Sequence, residues 1–172
     1  MDKQVVEFLY QNRLTSWDDF LLFLTEYNTV LTILTLLVLA YLVFIAKKYP
    51  AMYFYVPFWS ILLGAGLANL FKLFFQRLRP YDVMENVEAL TSGGGYSFPS
   101  GHSTEVFALL FSLWFVTKNK MIFLFFFLWA LLIAYTRMAF GVHYPTDVLA
   151  GMVLGLAVSY VVYVFFVRRL EY

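Results

Sequence analysis

Five apolar stretches, near Thr29 to Ala46, Met52 to Phe75, Ser103 to Thr117, Met121 to Met138 and Asp147 to Val167, dominate this chain of 172 residues. A helix needs roughly 20 apolar residues to cross ~30 Å of hydrocarbon, and all but the third stretch approach that length. With 62% hydrophobic and 22% aromatic residues, only 13% charged and a mean hydropathy of +0.75, the chain is too apolar for a soluble domain. An all-α integral membrane protein follows, with five transmembrane helices. The third stretch is short and carries Glu105, so it is expected deep in the bundle rather than against lipid. Trp17 to Thr25 reads as one more helix, with Ser16 as N-cap and Asp18 and Asp19 in its first turn. It is too short to span and is expected to be interfacial or re-entrant, giving a six-helix core. The whole of 1–172 reads as one membrane-embedded domain, with an N-terminal interfacial segment at 1–28 and a long functional loop at 77–101. A signal-peptide pattern is missing from the opening residues, so the spans are expected to act as their own targeting signal.

Other partners and chemistries drop out on composition. A formal net charge of +1 supplies no basic field for nucleic acid. The absence of Cys removes disulfides, thiolate metal sites and cysteine nucleophiles, and His102 and His143 alone cannot build a histidine-rich metal site. Gly64-Ala65-Gly66 and Gly151-x-x-x-Gly155 read as packing seams where helix backbones approach closely.

Lys47, Lys48, Lys118, Lys120, Arg168 and Arg169 gather on one side of the spans with only Glu171 for company, which marks that side as cytoplasmic. Three segments end on the other side: Lys72-x6-Arg79-Pro80, Pro99-Ser100-Gly101-His102, and Thr136-Arg137-x5-His143-x3-Asp147. Cations are costly beside hydrocarbon, so Lys72, Arg79 and Arg137 held at one depth call for an anion. A phosphate group fits: arginine forks bind its oxygens, Lys72 adds a compact charge, and Ser100 and Gly101 open a helix whose free N–H groups face it. Two imidazoles suit a two-step displacement. His143, one helical turn before Asp147, is the candidate nucleophile with Asp147 as its orienter; His102 is the candidate general acid and then base. The scheme needs no metal and no cofactor. Singly, each residue has a plainer reading: snorkelling anchors for Lys72 and Arg137, an interfacial imidazole for either histidine, an N-cap for Asp147. Glu105 follows His102 by three residues and reads either as its tuner or as a packing hydrogen bond.

The three segments resemble the tripartite signature of the type-2 phosphatidic acid phosphatase family, KX6RP, PSGH and SRX5HX3D. Every defining residue is present except the first Ser of the third motif, which is Thr136 here. The resemblance implies a six-helix, metal-independent membrane lipid phosphatase with the roles just given. Small bacterial members of the family act on lipid A 1-phosphate, phosphatidylglycerophosphate or undecaprenyl pyrophosphate, and the first is the preferred expectation. That would place the chain in a bacterial inner membrane, with the site facing the periplasm and the C-terminus in the cytoplasm. A lipid or anion transporter, a phosphate-binding scaffold and a relative of the vanadate-binding haloperoxidases are the competing readings. A transporter would place charge at the midplane; binding alone has no use for the His143–Asp147 pair. Oligomeric state is not legible in the sequence.

Overall fold

The computed structural model describes residues 1–170; Glu171 and Tyr172, and the side chains of Arg169 and Leu170, lie outside the described residues. Eight α-helices are found among them: α1 (Asp2–Gln11), α2 (Asp18–Glu26), α3 (Asn28–Ala40), α4 (Met52–Phe75), α5 (Pro80–Val83), α6 (Gly101–Thr117), α7 (Lys120–Ala139) and α8 (Pro145–Leu170). The all-α expectation holds. A π-helical turn at Tyr41–Ile45 extends α3. Four helical segments are long and apolar enough to cross a membrane: Asn28–Ile45, Met52–Val83, Lys120–Ala139 and Pro145–Arg168. At 17 residues α6 is shorter, about 25 Å at 1.5 Å of rise per residue.

Its shortness matches its place. α6 is the central helix, packed against α4, α7, α8 and α3, and Val106, Phe107, Ala108, Leu109, Leu110 and Leu113 are all buried. Around it the usual polarity of a soluble protein is inverted. Leu37, Phe74, Phe125 and Val161 on the outer helices are 59%, 80%, 65% and 66% exposed, an apolar outer surface of the kind that lipid covers.

The small-residue seam has a direct physical cause. A Cβ on Gly151 would lie 2.7 Å from the Ser100 carbonyl oxygen, and one on Gly155 would lie 2.7 Å from the Ala108 amide. Only glycine lets α8 come this close to α6, and the contact fixes Pro145–Leu170 against the start of α6 where the second motif sits. Of the other pair, Gly64 packs on Thr104 while Gly66 has open space.

Helix ends follow local chemistry. Ser100 caps α6, its Oγ accepting from the Ser103 amide, and Asn119 caps α7 by accepting from the Met121 and Ile122 amides. Pro145 opens α8 at a position where its missing N–H costs nothing. Ser16 does not cap α2: it lies inside a 3-10 turn, Thr15–Trp17, and Trp17 takes the cap position without a side-chain bond. The helix itself forms as expected. It turns Leu21, Leu24 and Thr25 inward and Trp17, Phe20 and Phe23 outward. α1 was not legible, because its few apolar residues are too sparse to stand out; it folds against α7 and α8, with Val6 buried beside Val87 and Tyr144.

Candidate active site

All three motifs meet at one end of the bundle: the C-terminal ends of α4 and α7 and the N-terminal ends of α6 and α8. Backbone bonds hold them together. The Ser100 amide donates to the Asp147 carbonyl at 3.0 Å, tying the second motif to the third, and the Ser97 amide donates to the Arg77 carbonyl at 2.8 Å, tying the loop to the first. The His143 and Val142 amides both donate back to the Arg137 carbonyl, a tight turn that swings His143 under the end of α7. Gly141, at φ +72°, makes this turn possible; a Cβ there would meet Val87 and the Glu88 carbonyl.

His143 and Asp147 are buried, at 1% and 0% exposure. Nδ1 of His143 stands 3.5 Å from Oδ2 of Asp147 and has no hydrogen-bond partner, so the pair is aligned but not closed. Nε2 faces the other way, 3.3 Å from Nη1 of Arg79. This geometry assigns Nδ1–H to the carboxylate side and the lone pair to Nε2, where it accepts from Arg79 Nη1 and becomes available for attack when that N–H turns to a bound anion. Burial, and then the positive charges of Arg79, Arg137 and Lys72, hold the His143 imidazole well below the ordinary histidine range. It is therefore neutral, the state a nucleophile requires.

The three cations are arranged differently from one another. Arg79, 2% exposed, is fully engaged: Nε donates to Gly95 O, Nη1 to Val142 O, and Nη2 to Gly94 O and Tyr96 O. Its guanidinium thus wraps the glycine loop, where a Cβ on Gly93 would come within 3.0 Å of Nη1. A bidentate grip on phosphate by Arg79, the sequence expectation, requires some of these bonds to be exchanged. Arg137 is more open. It is 1% exposed, donates to Thr25 Oγ1 at 2.9 Å and Ser92 O at 3.0 Å, and keeps a buried Nε without a partner. Lys72 Nζ lies beside Gly101, 3.6 Å from where a Cβ would be. Among the described residues no carboxylate lies within salt-bridge distance of Lys72, Arg79 or Arg137. A buried cation without a counter-ion costs several kcal/mol, so the end of the bundle is built for an anion. Nor do three His, Cys, Asp or Glu side chains come together there as a metal-binding set, among the described residues.

Residues 53–171 match the PAP2 superfamily. The chain belongs to that superfamily. It is 34% identical over 115 residues to a lipid A 4'-phosphatase of Porphyromonas gingivalis, covering 60% of this chain and 47% of that protein. A lipid A 1-phosphatase of Rhizobium johnstonii is 34% identical over 122 residues, 64% of this chain and 47% of the relative. The chain thus spans about half the length of these curated relatives. The crystal structure of LpxE from Aquifex aeolicus superimposes with a TM-score of 0.78 at 25% identity, covering 92% of both chains. At the position where the superfamily signature has its first Ser in the third motif, the Thr136 hydroxyl donates to Ile133 O of its own helix.

Sequence reasoning passed over Arg77. It lies within the spacer of the first motif, where no pattern marks it, yet its Nη1 donates to Asp147 Oδ1 at 2.6 Å while its Nη2 pairs with Asp2 at 2.8 Å. The guanidinium also stacks over Tyr144, 3.9 Å from the ring centroid. Asp147 therefore has one oxygen on Arg77 and the other on the Tyr144 amide at 2.8 Å. Asp2 itself is held below the ordinary carboxylate range: burial opposes ionisation, but hydrogen bonds from Thr146 and Arg77 outweigh it. We expect Arg77→Ala to lower kcat roughly 10- to 100-fold, the usual loss when a residue orienting a catalytic group is removed, with Arg77→Lys recovering part of it. KM should stay near the wild-type value. Wild-type kcat in the alanine variant would mean that Asp147 needs no such support.

Tyr81 and Asp82 also gain positions in the structure. The Tyr81 hydroxyl donates to Gly93 O at 2.7 Å and Asp82 accepts from the Arg79 amide at 3.0 Å, so both shape the loop around Arg79.

Proposed function

We propose that the chain is a membrane lipid phosphatase, folded as one membrane-embedded domain with a six-helix core. The observation that carries this is the set of cations without carboxylate partners, Lys72, Arg79 and Arg137, around the His143–Asp147 pair. A phosphoryl group bound there meets Arg137 Nε and Lys72 Nζ, with Ser100, Gly101 and the first amides of α6 beneath it. His143 Nε2 attacks phosphorus as the bond to the lipid oxygen breaks, and His102 protonates the departing alkoxide. Water, deprotonated by His102, then attacks the phosphohistidine; the P–N bond breaks and orthophosphate leaves. Asp147 orients His143 and stabilises its positive charge in between. Charge compensation by the three side chains makes a metal unnecessary in this scheme.

The preferred substrate is lipid A 1-phosphate, with phosphatidylglycerophosphate and undecaprenyl pyrophosphate as alternatives. The names of the relatives support the lipid A class and divide over which phosphate is removed. Purified protein in detergent with EDTA should release phosphate from one or more of these lipids, and silence from folded protein across the panel would turn the reading toward binding or transport.

The site faces the periplasm from a bacterial inner membrane. Lys47, Lys48, Lys118, Lys120 and Arg168 flank the opposite ends of the helices. A reporter fused after Tyr172 should accordingly be cytoplasmic, and a periplasmic signal would reverse the orientation.

A further inference from the structure

A groove of about 260 Å³ opens between α3, α4 and α6 directly beside the site, lined by Gly101, His102 and Glu105 from α6 and continuing past them between Leu36 and Ile61. Its lining is unusual for this depth in the bundle. Thr29 and Thr32 enter from α3 and Asn69 from α4, between apolar neighbours. Glu105 Oε2 accepts from the Thr29 hydroxyl at 3.0 Å and Thr32 stands beside the same carboxyl group, while Oε1 is buried with no hydrogen bond of good geometry. The Asn69 side chain, exposed on the groove wall, makes no hydrogen bond to another described side chain or backbone group. A buried acceptor left unmatched, as Glu105 Oε1 is, is costly and calls for a reason. The other grooves on the helical surface lack this character: those between α3 and α7 and between α4 and α8, about 340 and 510 Å³, are lined mainly by Leu, Val, Phe and Trp, surfaces that acyl chains satisfy.

We propose that the α3–α4–α6 groove is the leaving-group subsite, and that it selects lipid phosphates whose alcohol carries a hydroxyl or amide N–H next to the ester oxygen. This rests on the phosphatase reading above. If His102 protonates the leaving oxygen, the rest of that alcohol extends away from phosphorus, and the groove leads from His102 along α6 to Glu105. Three residues of helix separate them, about 4.5 Å of rise, a distance that a sugar or glycerol unit bridges. The free Oε1 accepts from the substrate's donor, and the Asn69 carboxamide reaches a second polar atom from the opposite wall. A polyprenyl alcohol offers no donor there. A lipid diphosphate is disfavoured further, because its leaving group is itself an anionic phosphate with only acceptors toward Glu105.

The test compares kcat/KM for two donor-bearing substrates, an acylated glucosamine 1-phosphate and phosphatidylglycerophosphate, with that for farnesyl phosphate. Wild type, Glu105→Ala, Glu105→Gln and Asn69→Leu are measured in detergent, with thermal unfolding as a check on folding. The ratio of donor-bearing to farnesyl turnover should fall roughly 10- to 100-fold in Glu105→Ala, the cost of leaving the substrate's buried donor without a partner. It should fall less in Glu105→Gln, which keeps an acceptor, and by several-fold in Asn69→Leu, a position whose side chain makes no hydrogen bond between helices among the described residues. Equal losses on all three substrates with a lowered unfolding midpoint would make Glu105 a tie between α3 and α6, overturning the proposal. An unchanged ratio would overturn it as well. Absence of phosphate release by wild type on every substrate is a different failure, that of the phosphatase reading itself.

Discussion

His143→Ala should eliminate phosphate release, by roughly 10⁴-fold or more, because the remaining imidazole, His102, is committed to proton transfer on the leaving-group side. The expectation follows from placement. Nε2 of His143 points at the guanidinium of Arg79, toward the side where an anion would be held, while Nδ1 faces Asp147. The hydroxyls beside it are committed elsewhere, Ser100 to capping α6 and Thr136 to its own helix, and the second imidazole, His102, is assigned to proton transfer. The loss should appear in kcat with little change in substrate binding, since the cations that hold phosphate remain. Circular dichroism and thermal unfolding check that the bundle persists, since the buried ring also contacts Arg79. Residual turnover within about tenfold of wild type would move the nucleophile elsewhere.

Arg137→Ala is expected to cost nearly as much, at least roughly 10³-fold in kcat/KM, for a different reason. Its Nε is a buried donor without a partner, and its other nitrogens are anchored on Thr25 and Ser92, so the free N–H is presented in a fixed direction. Removing a preorganised donor from a developing oxyanion costs about 10²- to 10³-fold by itself, and the lost charge adds to that. Stability should respond in the opposite sense to intuition. The variant loses two hydrogen bonds, about 1 kcal/mol each, but it also loses a buried cation whose desolvation costs several kcal/mol. The net effect should be small, and circular dichroism with thermal unfolding will show whether the bundle persists. Arg137→Lys, a point charge without the fork, should recover only part of the activity. Activity close to wild type in Arg137→Ala would remove Arg137 from the phosphate site.

The fold and the site differ in how much of each could be read in advance. Spans announced themselves through length and hydropathy, and the short third one, with Glu105 in it, already pointed to a helix at the centre of the bundle. The eight candidate residues were legible because three separated segments share spacing and end on one side of the membrane. What escaped was anything set by backbone or by distant sequence. Arg77 gains its importance from contact with Asp147 and Asp2, 70 and 75 positions away, a relation no local pattern encodes. The engagement of Arg79 with Gly94, Gly95 and Tyr96 depends on how the loop folds back, and glycines in a row specify freedom rather than a path. Ser16 failed as a cap because a 3-10 turn used the preceding residues first.

The central claim is a covalent phosphohistidine on His143. Its most direct measurement is rapid mixing of purified protein with a ³²P-labelled lipid phosphate in EDTA, followed by an alkaline quench and mapping of the label. A transient, acid-labile, alkali-stable label is expected on the peptide containing His143, formed before orthophosphate appears and absent in His143→Ala. Phosphate release at full rate with no labelled protein at any time, or label that persists in His143→Ala, would contradict it.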